Sequence, residues 1–211
     1  MSRVLRKAVP LALVAVLAIS ASALAATTNV TMTNFVFTPN GAKIKLGGTV
    51  HWENQTTATS HTSTSDTTNV DGTAGAHWWN SGTVAPGGTF DWAFTAAGTF
   101  TYHCNFHQSL GMIGTVTVAD KISPTSGVAG TKFAIKIATV TAPTGFTYDV
   151  QIKKPGAPGF VDFKTGITAP RVTFNSTGMA TGTYRFRSRL TTSIAPAGSS
   201  EWSPPKSLMV T

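Results

Sequence analysis

The sequence predicts an all-β protein built from two β-sandwiches in tandem, and three observations support this prediction. Short runs of alternating apolar and polar residues are separated by turns rich in Gly, Pro and Asn. No helical periodicity continues beyond residue 25. The charge also changes sign midway: residues 26–119 hold two basic and four acidic residues (net −2), whereas residues 121–211 hold eleven basic and three acidic residues (net +8). This asymmetry predicts a domain boundary near Asp120.

The first 25 residues have the pattern of a secretory signal peptide. Three basic residues within the first seven positions precede an apolar run over residues 8–24, and the run ends in a small-residue cleavage pattern at residues 23–25. The run is slightly short for a membrane-spanning helix, which needs about 20 apolar residues. We therefore expect cleavage near Ala25 and a secreted or periplasmic, extracytoplasmic protein. An uncleaved membrane anchor is the alternative.

Residues 26–119 contain the alternating runs of one antiparallel sandwich with about seven or eight strands. Near the end of this segment, Phe100, Tyr102 and Cys104 share one face of a strand, while Thr101 and His103 share the other. We expect strands over residues 30–37, 42–46, 49–54, 87–94, 99–104 and 114–118.

Residues 121–211 repeat this organisation without repeating the sequence, and about 90 residues suit one small sandwich. The stretch GTYRFRSRL, followed by SSEWSPPKSLMV, resembles the last two strands of a fibronectin type III domain. The resemblance implies that Tyr184 fills the tyrosine corner of that family. The early tryptophan of the family is absent, and Phe133 or Ile135 is expected in its place. A generic immunoglobulin-like sandwich is the alternative.

Three arginines alternate along one strand of the second sandwich. Arg185, Arg187 and Arg189 are expected to point outward, with Lys153 on the same sheet face. A solvated basic face is one interpretation. Attachment to an anionic envelope polymer or a membrane surface is the other. No nucleic-acid partner is expected.

The chain has a single cysteine, which excludes an intramolecular disulfide. A lone thiol in an exported protein is open to oxidation unless it is buried or bound to a metal. Here Cys104 is followed by His107 and Met112 in the stretch TYHCNFHQSLGM. A thiolate, an imidazole and a thioether form a soft donor set, and a His₂Cys site with a weak axial Met is the blue-copper arrangement. The spacing therefore predicts a copper site, which needs a second histidine from elsewhere.

Four other histidines are candidates for this ligand. His51 and His103 are expected to point outward, because each lies between inward-facing positions of a strand. His77 lies in a Gly-Ala loop, where no strand would hold it. His61 follows a strand and precedes another, so we expect His61 to be the ligand.

The quoted residues resemble plastocyanin, a member of the cupredoxin family of small blue copper proteins. The ligand loop and the Gly-Thr-Val-Thr-Val strand after it carry this resemblance, together with the stretches TVHWENQTTATSHT and WWNSGTVAPGGTFDWAFTAAGTF. It implies a cupredoxin Greek-key sandwich over residues 26–119 and one type 1 copper ion held by His61, Cys104, His107 and Met112. This sequence has Thr62 where the family usually has Asn, and Phe106 where the family usually has Pro.

The expected function is single-electron transfer rather than enzymatic catalysis. A multicopper oxidase or nitrite reductase needs more histidines than the five present, often in His-x-His pairs, and no such pair occurs. Redox partners are expected to dock near His107, Phe106 and Leu110. Two alternatives remain open: a copper-storage or delivery protein, and a metal-free two-domain adhesion module.

Overall fold

The structure is a computed structural model of the chain, and it describes residues 26–66, 78–192 and 198–211. Within these ranges every regular element is a β-strand, apart from one 3₁₀ turn at Gln108–Leu110. The prediction of an all-β protein is therefore confirmed. The predicted signal peptide and His77 lie outside the described residues. No described helix has the length and apolar character needed to span a membrane.

The first half forms two mixed four-stranded sheets, with strand orders β2-β1-β4-β6 and β3-β8-β7-β5. In each sheet one pair is parallel, β1 with β4 and β3 with β8, and the other pairs are antiparallel. The strands are β1 (Thr27–Thr33), β2 (Val36–Thr38), β3 (Gly41–Ile44), β4 (Thr49–Asn54), β5 (Thr64–Ser65), β6 (Thr89–Ala93), β7 (Gly98–His103) and β8 (Ile113–Val118).

Strict alternation explains how the first sandwich encloses its core. In β4, Val50, Trp52 and Asn54 are buried while the residues between them are partly exposed, and β7 alternates in the same way. The buried rings of Trp52, Trp79 and Tyr102 contact one another at the centre of this core. Because β7 points Tyr102 inward, Cys104, two residues later, is also fully buried.

The predicted first strand is interrupted by a hairpin turn at Asn34 and Phe35. Both residues have positive φ, 41° and 64°, so the chain reverses there and β2 pairs back onto β1. Two positive φ angles in a two-residue hairpin loop are the signature of a type I′ turn, for which Asn-Gly is the strongest sequence signal. The sequence has Asn-Phe instead, so the run of residues 30–37 looks continuous.

The second half forms a sheet of order β10-β17-β15-β12-β13, on which β16 also pairs with β15, and a sheet of order β14-β11-β9. Its strands are β9 (Lys121–Ser123), β10 (Ser126–Gly127), β11 (Lys132–Lys136), β12 (Phe146–Lys153), β13 (Val161–Ile167), β14 (Arg171–Asn175), β15 (Gly182–Thr192), β16 (Gly198–Ser199) and β17 (Lys206–Val210).

The second core is built around buried aromatic residues from facing sheets. Phe133 and Ile135, the expected replacements for the family tryptophan, are fully buried. Tyr184 is buried as well, and its hydroxyl donates a hydrogen bond to the carbonyl of Ala180 at 2.8 Å. A tyrosine corner makes this kind of contact, with a backbone group a few residues upstream. The specific fibronectin type III assignment remains a prediction.

Backbone hydrogen bonds join the two sandwiches at one end of the first. Thr99 and Glu201 exchange N–H to carbonyl bonds of 3.0 and 3.1 Å, and the N–H of Ala97 donates to the carbonyl of Ile137 at 2.8 Å. Strand β7 starts at this junction and ends next to Cys104. Its six residues span about 20 Å at roughly 3.3 Å per residue. The junction and the predicted copper site therefore lie at opposite ends of one strand.

Candidate metal centre

The loop after β7 is closed by its own backbone. The N–H of His107 donates to the carbonyl of Cys104 at 3.1 Å, and the N–H of Met112 donates to the carbonyl of His107 at 3.2 Å. The N–H of Cys104 in turn donates to the carbonyl of Met112 at 3.1 Å. Gly111 has φ 83°, a conformation that glycine adopts without steric cost, and it returns the chain from the 3₁₀ turn to β8. These bonds fix Cys104, His107 and Met112 within one compact turn.

His61 reaches the same place from the segment just before β5, the strand that pairs with β7. A pair of backbone hydrogen bonds, 3.1 and 2.8 Å long, holds it against Val84. Its side chain is fully buried, as are the four polar residues that follow it. The ligand candidate chosen from the sequence is thus fixed by backbone pairing just before β5.

Three potential donor atoms converge within this buried site. The Nδ1 atoms of His61 and His107 lie 3.2 Å apart, and the Sγ atom of Cys104 lies 3.8 Å from the first and 3.4 Å from the second. An ion at about 2.0–2.3 Å from nitrogen and sulfur donors places them roughly 3.2–3.8 Å from one another. Met112 is fully buried in the same core cluster as Cys104. The donor set therefore fits one metal ion of soft character, and copper is the metal that this set favours.

The surroundings favour the neutral form of His61, which is the form that binds metals. Burial lowers the pKa of His61, and repulsion by His107 lowers it further. Its Nε2 atom is buried, with no hydrogen-bond partner among the described residues. Backbone pairing and packing therefore orient this imidazole, in place of the hydrogen bond that usually orients a metal-bound histidine.

Thr62 connects the two segments that supply the donors. Its backbone N–H points at the Sγ atom of Cys104 at 3.3 Å, and its hydroxyl accepts a hydrogen bond from the N–H of Asn105 at 2.8 Å. The hydroxyl of Thr64 donates to the same oxygen at 3.1 Å. Thr62, at the position where the family usually has Asn, thus bridges the His61 segment and the loop after β7.

The other described histidines lie away from the donor cluster. His51 and His103 are partly exposed at outward positions of β4 and β7, as the alternation predicts. Each pairs with a carboxylate: the Nδ1 of His51 lies 2.8 Å from Asp91, and that of His103 lies 2.6 Å from Asp66. Within the described ranges, the one group of three potential ligands is His61, Cys104 and His107.

An exposed apolar surface surrounds His107, which is itself partly exposed. We call this surface the apolar rim. Phe106 and Leu110, expected from the sequence, are 53% and 62% exposed. The structure adds a residue that sequence reasoning missed, Phe35, whose ring centroid lies 4.5 Å from that of His107. The rim consists of Phe35, Phe106 and Leu110.

Comparison with known proteins identifies the first half of the chain. The family model for copper-binding proteins of the plastocyanin/azurin family matches residues 24–119. A plastocyanin from Scenedesmus fuscus is 38% identical over 85 residues, which span 39% of this chain and 86% of that protein. The chain belongs to the plastocyanin/azurin family. Its cofactor is accordingly copper, in agreement with the donor set.

Solved structures similar to part of this plastocyanin/azurin-family chain include an amicyanin and an auracyanin. A reduced variant of amicyanin is 26% identical, covers 44% of this chain and 81% of its own length, and has a TM-score of 0.36. A dithionite-reduced auracyanin from the photosynthetic bacterium Roseiflexus castenholzii is 22% identical, covers 45% of this chain and 98% of its own length, and has a TM-score of 0.37.

Proposed function

We propose that the protein is a single-electron carrier whose one type 1 copper ion is held by His61, Cys104, His107 and Met112. The observation that supports this most directly is the convergence of two imidazole nitrogens and one thiol sulfur within 3.8 Å of one another. These are the equatorial donors of a His₂Cys site, and Met112 is buried on the same loop to serve as the weak axial donor.

The surrounding structure favours fast electron transfer. Copper bound here supplies a reversible one-electron couple. His61, fixed by its pairing with Val84, and the loop closed by Met112 hold the donors in one arrangement, so little rearrangement accompanies a change of charge. The Thr62 N–H directed at Cys104 stabilises the thiolate through a weak hydrogen bond. A carrier role requires no substrate-binding residues, and we propose no enzymatic activity.

His107 is the proposed electron port, and the apolar rim around it is the proposed docking surface for redox partner proteins. The imidazole is partly exposed, whereas His61 and Cys104 are fully buried. The large apolar side chains of Phe106 and Leu110 are more than half exposed beside it. Small apolar patches suit brief encounters in which partners must dissociate quickly.

Absorption and electron-spin spectra of the copper-loaded mature protein test this function. We expect an intense thiolate-to-copper absorption band at about 600 nm and a reversible one-electron couple. Cys104→Ser should abolish both, and thermal unfolding of the metal-free variant shows whether it still folds. His51→Ala is the matched control, because it removes an imidazole outside the donor cluster and should leave the band intact. A band that persists in Cys104→Ser, or no band in the wild type, would refute the proposal.

Copper release to a chelator, together with the same spectra, separates the two alternative functions. A storage or delivery protein would release copper readily to a chelator, whereas the buried site proposed here should release it slowly. A metal-free adhesion module would show no intense visible band after copper addition. The five methionines include Met1, so the chain lacks the Met-rich composition of open, exchangeable copper sites.

We propose residues 1–25 as a signal peptide, 26–119 as the copper domain and 121–211 as a fibronectin type III-like accessory domain. The leader pattern supports cleavage near Ala25 and a secreted or periplasmic location. The separate core clusters of the two halves support the division. The net charge of +8 in the second domain supports attachment to an anionic envelope polymer or membrane surface through Arg185, Arg187 and Arg189.

A further inference from the structure

The three outward arginines of β15 have different environments. The Nε and Nη2 atoms of Arg189 donate to a carboxylate oxygen of Asp149 at 3.1 and 3.0 Å. Arg187 donates to the Oε1 atom of Gln151 at 3.0 and 2.7 Å, and its guanidinium lies 4.2 Å from the Phe160 ring centroid. The guanidinium groups of Arg187 and Arg189 are therefore engaged in contacts within their own domain. Arg185 is exposed, and its guanidinium has no hydrogen bond or ion pair with any described residue.

Arg185 lines a surface concavity of about 310 Å³ together with two lysines. Lys153 is its direct partner across β12 and β15, and Lys154 follows Lys153. No acidic side chain lines the concavity in the described part of the chain, and no described carboxylate pairs with any of the three cations. The lining residues are Lys153, Lys154, Pro155, Gly156, Thr183 and Arg185.

The backbone around the concavity is fixed. The N–H of Ala157 donates to the carbonyl of Lys154 at 3.1 Å, and between them Pro155 precedes Gly156, whose φ is 72°. Proline followed by a glycine with positive φ is typical of a type II turn. This turn sets the position of Lys154. The Nζ atom of Lys153 is also tied, by a bond to the carbonyl of Pro158 at 3.3 Å.

This arrangement is unfavourable without a counterion. Like charges directly opposite each other on neighbouring strands destabilise a sheet, and Lys153 faces Arg185 in that way. An oxyanion in the concavity reverses the effect, because one guanidinium fork and two ammonium groups are the donors that phosphate prefers.

We propose that this concavity binds the phosphate groups of an anionic envelope polymer. The inference rests on the proposed role of the second domain in attachment, and it locates that role at Lys153, Lys154 and Arg185. A polymer fits better than a bilayer surface, because the uncharged lining residues, Pro155, Gly156 and Thr183, offer no large apolar side chain for insertion into lipid.

The position of the concavity keeps the copper site accessible. Thr183 and Arg185 lie near the start of β15, whereas Ser188 on the same strand meets Asp120 at the junction with the first domain. Arg185 lies about 10 Å and Thr183 about 17 Å from Ser188, at roughly 3.3 Å per residue. A polymer bound at the concavity is therefore displaced from the junction and still further from the apolar rim.

Binding of the copper-loaded mature protein to poly(glycerol phosphate) at low ionic strength tests the proposal. Inorganic phosphate and vesicles of phosphatidylglycerol in phosphatidylcholine serve as comparison probes. The variant Lys153→Gln/Arg185→Gln should weaken polymer binding by about tenfold. The matched control is Lys132→Gln/Lys136→Gln, which removes the same charge from β11 on the other sheet and should stay within about twofold of wild type.

Three results would overturn the assignment. Equal losses of polymer binding in both double variants would show that binding depends on the overall charge of the domain and not on this concavity. Binding to vesicles or inorganic phosphate without binding to the polymer would assign the site to a different ligand. If the wild type does not bind the polymer, the proposed site is wrong. The blue absorption band is recorded on every sample, so failure of the copper proposal is detected separately from failure of the anion site.

Discussion

The ring centroids of Phe35 and His107 lie 4.5 Å apart, at an interplanar angle of 49°. The contact joins the β1–β2 hairpin to the proposed ligand loop, two segments separated by more than 70 residues. Phe35 is held there with φ 64°, in the left-handed region that costs a non-glycine residue about 1–2 kcal/mol. The fold thus maintains an unfavourable backbone conformation to place an aromatic ring against the proposed electron port.

Substitution of Phe35 should separate the backbone cost from the ring contact. Phe35→Gly and Phe35→Ala both remove the ring, but only glycine tolerates the left-handed conformation. The glycine variant should therefore be more stable than the alanine variant by about 1 kcal/mol in chemical unfolding. Both should slow electron exchange to the same degree while the blue band keeps its intensity. Equal stability, or exchange rates that differ between the two, would contradict this interpretation.

The apolar rim should tolerate a charge poorly at its most exposed position. Leu110→Glu places a carboxylate where a partner surface must exclude water, so electron exchange should slow markedly while the absorption spectrum stays unchanged. Val128→Glu is the matched control, because Val128 is 67% exposed in the second half of the chain and receives the same charge. Unchanged exchange in Leu110→Glu, or equal slowing in both variants, would exclude the rim as the docking surface.

Local sequence relationships made much of the site predictable. Cys104, His107 and Met112 occur within nine residues, so the loop that joins them has few ways to fold, and alternation along β7 turns Cys104 inward. His61 was identifiable because it stands where one strand has ended and another begins. The outward positions of His51 and His103 followed from the same alternation.

Other features depend on conformations or contacts that the sequence does not display. Phe35 was missed because a type I′ turn usually carries glycine, and Asn-Phe gives no such signal. The contact between Asp120 and Ser188 joins residues 68 positions apart, and no local pattern predicts it.

Thr62 should be important for copper retention. Thr62→Val keeps the shape of the side chain but removes the hydroxyl that accepts the Asn105 N–H, which should cost about 1 kcal/mol of stability. Loss of such support typically weakens metal binding by about tenfold or more. Copper transfer to a chelator should therefore be faster in Thr62→Val and near wild type in Thr62→Ser. Equal rates in the two variants would show that the hydroxyl has no such role.

The junction between the two sandwiches contains a buried acid. Asp120 is 2% exposed, and it accepts a hydrogen bond from the hydroxyl of Ser188. Its Oδ2 atom has no partner among the described residues. Burial raises the pKa of Asp120 to about 7, although Ser188 and the charge of Lys206 act in the opposite direction. Lys45 and Lys121 line the same groove of the junction.

This raised pKa predicts that the folded protein loses stability as the pH rises. The folded state keeps a proton on Asp120 up to about pH 7, whereas the unfolded chain releases it near the ordinary aspartate pKa of 3.8. Folding therefore takes up a proton between pH 3.8 and about pH 7. The free energy of unfolding should therefore fall by about 2 kcal/mol between pH 5 and pH 8 through this group. Asp120→Asn should remove that part of the pH dependence and be more stable than wild type at pH 8. Denaturant unfolding at both pH values measures it, with Asp162→Asn as an exposed control. If the difference in unfolding free energy between the wild type and Asp120→Asn does not change with pH, the prediction is wrong.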